Sequence, residues 1–289
     1  MQFPEMCGGT SRSRDDSAPK TIKSDKMIFF RASCSFKTVV SNDPEVDSHW
    51  LRYISVYAAA VEGGSILVLS ANDGYKRDET SWTYIKGDIF PELVKAVKEA
   101  DLAAKNGISS FTHGLPENFG GEVLIKYDGG EQISFSDNQS PVFTKEFGIR
   151  LYELFTEAMK TEKAPLPDAE KIISLKILDE NSTGYTSAEL IKNSDETCAL
   201  KTVYKFETPP VSEYTKTVSS DVLREVIKIV KNNGVLLWGK LPKNDFTLPM
   251  VKKYTFVFDD NSEITVSSDA ITPPILNGAL FKIETVLKF

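Results

Sequence analysis

Short apolar runs, rich in β-branched and aromatic residues, open the foldable part of the chain. Residues 27–36, 50–57, 65–70 and 82–85 are four such runs, and each predicts a strand. Asn72-Asp73-Gly74 closes the third with a hairpin-type turn, in which glycine supplies a positive φ. The period then becomes helical. Ile89, Phe90, Leu93, Val94 and Val97 share one face, Asp88 suits the positive end of a helix dipole, and Pro91 falls in the first turn. Asn106-Gly107 predicts a left-handed stop. Residues 122–127 and 132–136 flank Asp128-Gly129-Gly130 as a hairpin, and residues 143–159 read as a second helix.

The second half runs through the same order. Residues 172–178, 185–191, 199–206 and 214–218 are strand-like, 221–233 helical, 254–258 and 263–266 a hairpin, and 275–287 a closing helix. Asp88-Ile-Phe-Pro-Glu-Leu-Val-Lys-Ala-Val-Lys98 recurs as Asp221-Val-Leu-Arg-Glu-Val-Ile-Lys-Ile-Val-Lys231, with five of eleven positions identical. An Asn-Gly (Asn106-Gly107, Asn233-Gly234) and a Leu-Pro (Leu115-Pro116, Leu241-Pro242) follow each copy. The expectation is an α+β protein of two tandem homologous modules, each an antiparallel sheet covered on one face by two helices. The boundaries are a disordered polar tail over 1–26, module one over 27–160, a proline-bearing linker over 161–170 and module two over 171–289.

A chain of 289 residues with 17 Phe has enough apolar material for two modest cores. The net charge of −7, with no Lys/Arg run longer than two, argues against nucleic acid as the partner. Cys7, Cys34 and Cys198 have no metal-ligand spacing, so neither a zinc site nor a disulfide framework is expected, and a Cys34–Cys198 bridge stays open. No apolar run reaches the roughly 18 residues of a membrane span. Cys7-Gly8-Gly9 looks like the start of a mature lipoprotein, but Phe3-Pro4-Glu5-Met6 makes no lipobox, and a plain tail is the preferred reading. The compartment is cytoplasmic as written and extracytoplasmic if a lipoprotein N-terminus is missing.

Candidate chemistry is sparse. His49 follows Asp47-Ser48, but three adjacent residues cannot form a triad, and His113 falls in a turn. Asp259-Asp260-Asn261-Ser262-Glu263 lacks the glycine and distal glutamate of an EF-hand loop. Glycine pairs occur without phosphate-loop spacing. No catalytic residue, metal ligand or cofactor is assigned. Trp82, Trp238 and His113 are the binding candidates, because exposed tryptophans anchor ligands, although packing under the helices is the commoner fate of Trp.

Ala18-Pro-Lys-Thr-Ile-Lys-Ser24 before a Phe-rich strand, together with the helix, turn and hairpin over 221–267, resembles a group of uncharacterised bacterial, lipoprotein-like proteins with a repeated α+β module. The resemblance implies a bacterial origin and brings no activity. The expected function is a non-enzymatic binding or interaction protein with a protein or polysaccharide ligand. The alternative is a carboxylate-dependent hydrolase acting on a glycan.

Overall fold

The computed structural model describes residues 9–36, 51–72, 79–114, 119–181, 184–206, 211–243, 251–273 and 278–289. The chain divides into two compact units, Met1–Ala164 and Pro165–Phe289.

The first unit contains strands β1 (Thr10–Arg14), β2 (Met27–Ser35), β3 (Tyr53–Val61), β4 (Gly64–Asn72) and β5 (Glu79–Ile85), helix α1 (Phe90–Glu99), strands β6 (Ile108–Thr112), β7 (Gly121–Tyr127) and β8 (Gln132–Asp137), and helix α2 (Lys145–Ala158). Its sheet runs β1-β6-β8-β7-β2-β3-β4-β5. The second unit has β9 (Ile172–Asn181), β10 (Gly184–Lys192), β11 (Thr197–Phe206), β12 (Ser212–Ser219), α3 (Asp221–Asn232), β13 (Val251–Phe258), β14 (Glu263–Ser267) and α4 (Gly278–Leu287), in a sheet ordered β12-β11-β10-β9-β13-β14.

The α+β expectation is overturned. Strand makes up 45% of the structure and helix 25%, so the protein is mostly β, two large sheets of eight and six strands with few helices. A ten-residue helix such as α1 is only about 15 Å long. Strands spaced about 4.8 Å apart make sheets far wider than two such helices can cover. Two strands were also invisible as strands: β1 (TSRSR) and β6 (ISSFT) have no apolar alternation.

Residues 9–26, whose composition predicts disorder, are anchored by backbone rather than by burial. β1 pairs antiparallel with β6, from Thr10↔Thr112 to Arg14↔Ile108, while all five β1 residues stay exposed. The Glu131 carboxylate takes the amides of Lys23 (3.1 Å) and Ser24 (2.7 Å).

Between the two units the connectivity is the same. Read from the other end, β14-β13-β9-β10-β11-β12 follows β8-β7-β2-β3-β4-β5, every neighbouring pair antiparallel. Local details agree too. One extra residue bulges from β2 at Ile28, between Met27↔Tyr127 and Phe29↔Lys126. Ile173 bulges at the matching place, between Ile172↔Phe258 and Ser174↔Val257. The Asp128 amide donates to Lys26 O and the Asp259 amide to Lys171 O, both at 2.9 Å. Helix α1 ends with Ala100 N bonding Ala96 O and Asp101 N bonding Lys98 O; α3 ends with Asn233 N on Ile229 O and Gly234 N on Lys231 O. The left-handed residue after each helix is therefore Asp101 (φ 46°) or Gly234 (φ 59°). Gly234 corresponds to Asp101 in the fold, and the sequence match of Asn233-Gly234 to Asn106-Gly107 is displaced. Gly107 is left-handed (φ 78°), but it follows the 3-10 turn Leu102–Lys105 rather than α1.

In the first unit, α1 and α2 bury Leu93, Val97, Leu151 and Phe155 against Phe30, Ala32, Ile54, Val56 and Leu67 of the sheet. Each such side chain contributes roughly 1.5–3 kcal/mol on burial. Asp88 caps α1 by accepting the Phe90 amide at 2.9 Å, and Thr144 caps α2 through Phe147 N at 3.3 Å. In the second unit Leu175, Ile177, Leu190, Leu200 and Phe256 are buried, as are Val226 and Val230 of α3 and Ile283 of α4. Cys34 and Cys198 are both free and buried, which closes the disulfide question for that pair.

Candidate functional site

Strand alternation assigns the residues of the first sheet to two faces. Away from the helices, two ladders cross four strands: Phe29↔Ala59↔Ile66↔Tyr84 and Arg31↔Tyr57↔Val68↔Trp82. On the other side of Arg31 the second ladder continues through Leu124 to Ser134. A parallel row joins Glu122, Ser136 and Ser109. These last residues floor a cleft of about 520 Å³ whose remaining wall is the segment from Asp15 to Pro19.

A buried amide ties that wall to the sheet. Asn106, 2% exposed, donates to Pro19 O (3.0 Å) and to Gln132 O (2.8 Å), and its Oδ1 accepts the Ser134 amide (2.7 Å). Lys20 Nζ donates to Asn106 O. Asp15 N donates to Gly107 O and Gly107 N to Ser134 O, each at 2.8 Å. Residue 107 must be glycine on two counts: its φ is 78°, and a Cβ would lie 2.6 Å from Asp15 O.

The cleft is hydrophilic. Ser109 Oγ and Ser136 Oγ share a 2.9 Å hydrogen bond. Arg31 Nε stands 3.3 Å from Glu122 Oε1, close enough to pair by charge. The two are not aligned as a hydrogen bond: among the described residues the buried Arg31 Nε has no hydrogen-bond partner. Ser17 donates to the Asp15 carboxylate through its hydroxyl (2.6 Å) and its amide (2.9 Å), and these bonds hold the Asp15 carboxyl below the usual carboxylate range. Among the described residues no histidine or cysteine lines the cleft. Cys34 and Cys198 lie in their cores, and burial pushes the Cys34 thiol up to about 11 and raises the Cys198 thiol as well.

The three sequence candidates are not brought together. Trp82 is half-buried on β5, at one edge of the first sheet. His113 is exposed just after β6, toward the other edge, with its ring edge-on to Phe111 at 4.9 Å. Trp238 belongs to the second unit, in the 3-10 turn Val235–Lys240, and at 1% exposure it is a packing residue. Asp47, Ser48, His49 and Cys7 lie outside the described residues. Asp259–Ser262 is a hairpin turn, closed by Asn261 N on Phe258 O at 2.9 Å. Among the described residues no cluster of three or more His, Cys, Asp or Glu could hold a metal ion.

The cleft was missed because one of its strands, β6, and its wall carry no apolar signal. One signal was available: Arg31 interrupts the apolar run Met27–Ser35, and a charge there requires a polar neighbourhood on one face.

Among the described residues no helix is long and apolar enough to cross a membrane. No protein-family profile matches this chain, and no curated protein matches it either.

Proposed function

We propose that this chain is a non-enzymatic binding protein built from a duplicated module, and that the cleft beside Arg31 takes a small zwitterionic molecule or the charged end of a polymer. The observation that carries the reading is the buried Arg31 Nε without a hydrogen-bond partner. An unsatisfied buried donor costs about 1–3 kcal/mol, which a ligand acceptor that takes the place of the neighbouring Glu122 carboxylate would recover. A ligand carboxylate at Arg31, with hydroxyl contacts from Ser109, Ser134 and Ser136, uses the donors present. An ammonium or hydroxyl group would turn toward Glu122 and Asp15. Duplication is supported by the shared strand order, the two matching bulges and the matching helix ends.

A glycan hydrolase is the weaker reading. It needs one carboxylic acid kept protonated, usually by apolar surroundings. In the cleft Asp15 is held ionised by Ser17, and Glu122 faces a guanidinium.

Calorimetric titration with free amino acids, short peptides and neutral oligosaccharides tests the proposal. The expected result is binding of the zwitterions, abolished by Arg31→Met in a chain of unchanged circular dichroism. Binding of neutral sugars alone would refute the ligand class. Binding that survives Arg31→Met would refute the site.

A further inference from the structure

The outer strand of the second sheet carries the inference. In the first unit the strand in that position, β5, is partly covered: Ala164 N donates to Tyr84 O (2.9 Å), Lys86 N donates to Glu162 O (3.0 Å), and Ile85 bridges Lys163. In the second unit β12 bonds β11 on one side, and among the described residues no backbone bond reaches its other edge. That edge is eight residues long, free of proline, and in unbroken register from Thr197↔Ser219 to Tyr204↔Ser212. Bare edges of this length are normally blunted by charge, bulge or cover, because they recruit other strands. Here Glu213 is already paired to Lys201 at 2.9 Å, which leaves Lys216 as the charge on the strand that has no ion pair among the described residues. Beside it stand exposed apolar groups. Tyr214 is 64% exposed and Val211 55%, and Tyr214 meets Tyr204 edge-on at 6.4 Å.

We propose that β12 is a self-pairing edge, to which a second copy of this chain adds its own β12 antiparallel across a two-fold axis. The strand is complementary to itself in one register. Overlap of seven of its eight residues requires the axis to pass at Thr215 or Lys216. An axis at Lys216 sets two ammonium groups directly opposite each other, which is unfavourable. An axis at Thr215 sets Tyr214 opposite Lys216 of the second copy, twice, so each cation meets an aromatic ring. In that register Glu213 faces Thr217, Ser212 faces Val218, and no like charges are opposed. The observation of a bare edge and the self-complementary charges do not depend on the cleft, so this proposal stands or falls apart from the ligand reading.

Sedimentation of the full chain across a concentration series tests it. The expected result is a reversible monomer–dimer equilibrium, with Thr215→Lys raising the dissociation constant at least tenfold by placing two lysines across the axis. Thr215 is exposed, so circular dichroism should not change. In a Cys7→Ser background, Thr215→Cys should form an intermolecular disulfide under mild oxidation, because opposed residues of an antiparallel pair bring Cα atoms within about 4.5–5.5 Å. Asp260→Cys, in the β13–β14 turn, should not. A monomer at every concentration, a dimer that Thr215→Lys leaves intact, or equal cross-linking at both positions would overturn the proposal. A mixed complex with another protein in place of the dimer would overturn it in favour of strand addition by a foreign partner.

Discussion

Phe29, Ala59, Ile66 and Tyr84 line up across the first sheet on the face away from its helices; at the corresponding places in the second sheet stand Ser174, Ile191, Ala199 and Thr217. The next row contrasts more sharply. Arg31, Tyr57, Val68 and Trp82 have Lys176, Glu189, Lys201 and Thr215 as their equivalents in the second sheet. The first set is largely buried, whereas Lys176 and Thr215 are exposed and Glu189 and Lys201 partly so. One connectivity therefore supports an apolar face in one unit and an alternating charge ladder in the other. The helix-bearing face, with a buried apolar centre in both, is what holds the topology in common. The opposite face is free to differ, and in the first unit it holds the cleft.

The sharpest way to break this contrast is to exchange its residues. Val68→Lys, which installs the second unit's residue at a 5%-exposed position, should cost on the order of 4 kcal/mol in urea denaturation. The reverse change, Lys201→Val, should stay within about 0.5 kcal/mol of wild type. Equal effects would mean that the two faces do not differ in kind.

A second contrast lies on the helix-bearing face. Cys34 pairs with Gly121 in the first unit; at that place in the second, Asp179 pairs with Lys252. Lys252 Nζ bridges Glu284 of α4 (2.9 Å) and Asp179 (3.7 Å), and the Tyr254 hydroxyl donates to Glu284. Lys252→Met would strand two largely buried carboxylates and should cost about 3 kcal/mol, with the loss reduced when Glu284 is also made Gln. A loss that the double variant does not reduce would show that the lysine acts through packing alone.

Asn106→Ala should cost about 2 kcal/mol, since it removes a buried amide that holds part-buried backbone groups of Pro19, Gln132 and Ser134. Hydrogen exchange should locate the loss in residues 10–20 and spare the helices. In the second unit Asn233→Ala, at the end of α3, removes only a bond to Ile229 O and should cost less.

The smallest expected effect is on pH. Backbone bonds from Lys23 and Ser24 hold the Glu131 carboxyl below its usual value, and Ser17 does the same for Asp15. A lowered carboxyl contributes stability above its unfolded pKa and loses it as pH falls through the folded value. Protection of the 10–26 segment should therefore persist at neutral pH and fade only below the ordinary carboxylate range near about 4. Exchange that speeds up on going to alkaline pH alone, after correction for intrinsic rates, would contradict this.

All four helices and the β7–β8 and β13–β14 hairpins are legible in the sequence, because amphipathic spacing and polar turn residues such as Asp128-Gly129 and Asp259-Asp260-Asn261 are local signals. The Asp88 cap and Pro91 were legible for the same reason. What was not legible depended on distant partners. Thr10–Arg14 is a strand only because β6 offers an edge, and β6 is a strand only because β8 and β1 flank it. The proportion of sheet was underestimated on that account. The Asn-Gly match is misleading because the helix end, which backbone hydrogen bonds fix at Asp101 and Gly234, does not coincide with it in the first unit. Of the cleft, only the charge of Arg31 within an apolar strand was visible beforehand.

The order of synthesis gives the cleft wall a further consequence. Thr112, the partner of Thr10, is made 102 residues after it, so β1 waits until β2 to β5 have been made before its own neighbour exists. The apolar core of the first unit does not include β1, and it can assemble while this segment is still loose. Binding at the cleft should then mature as a late step of folding, after the core signals are complete. Trimming the chain between Arg14 and Lys20 would leave a folded unit that never acquires its site.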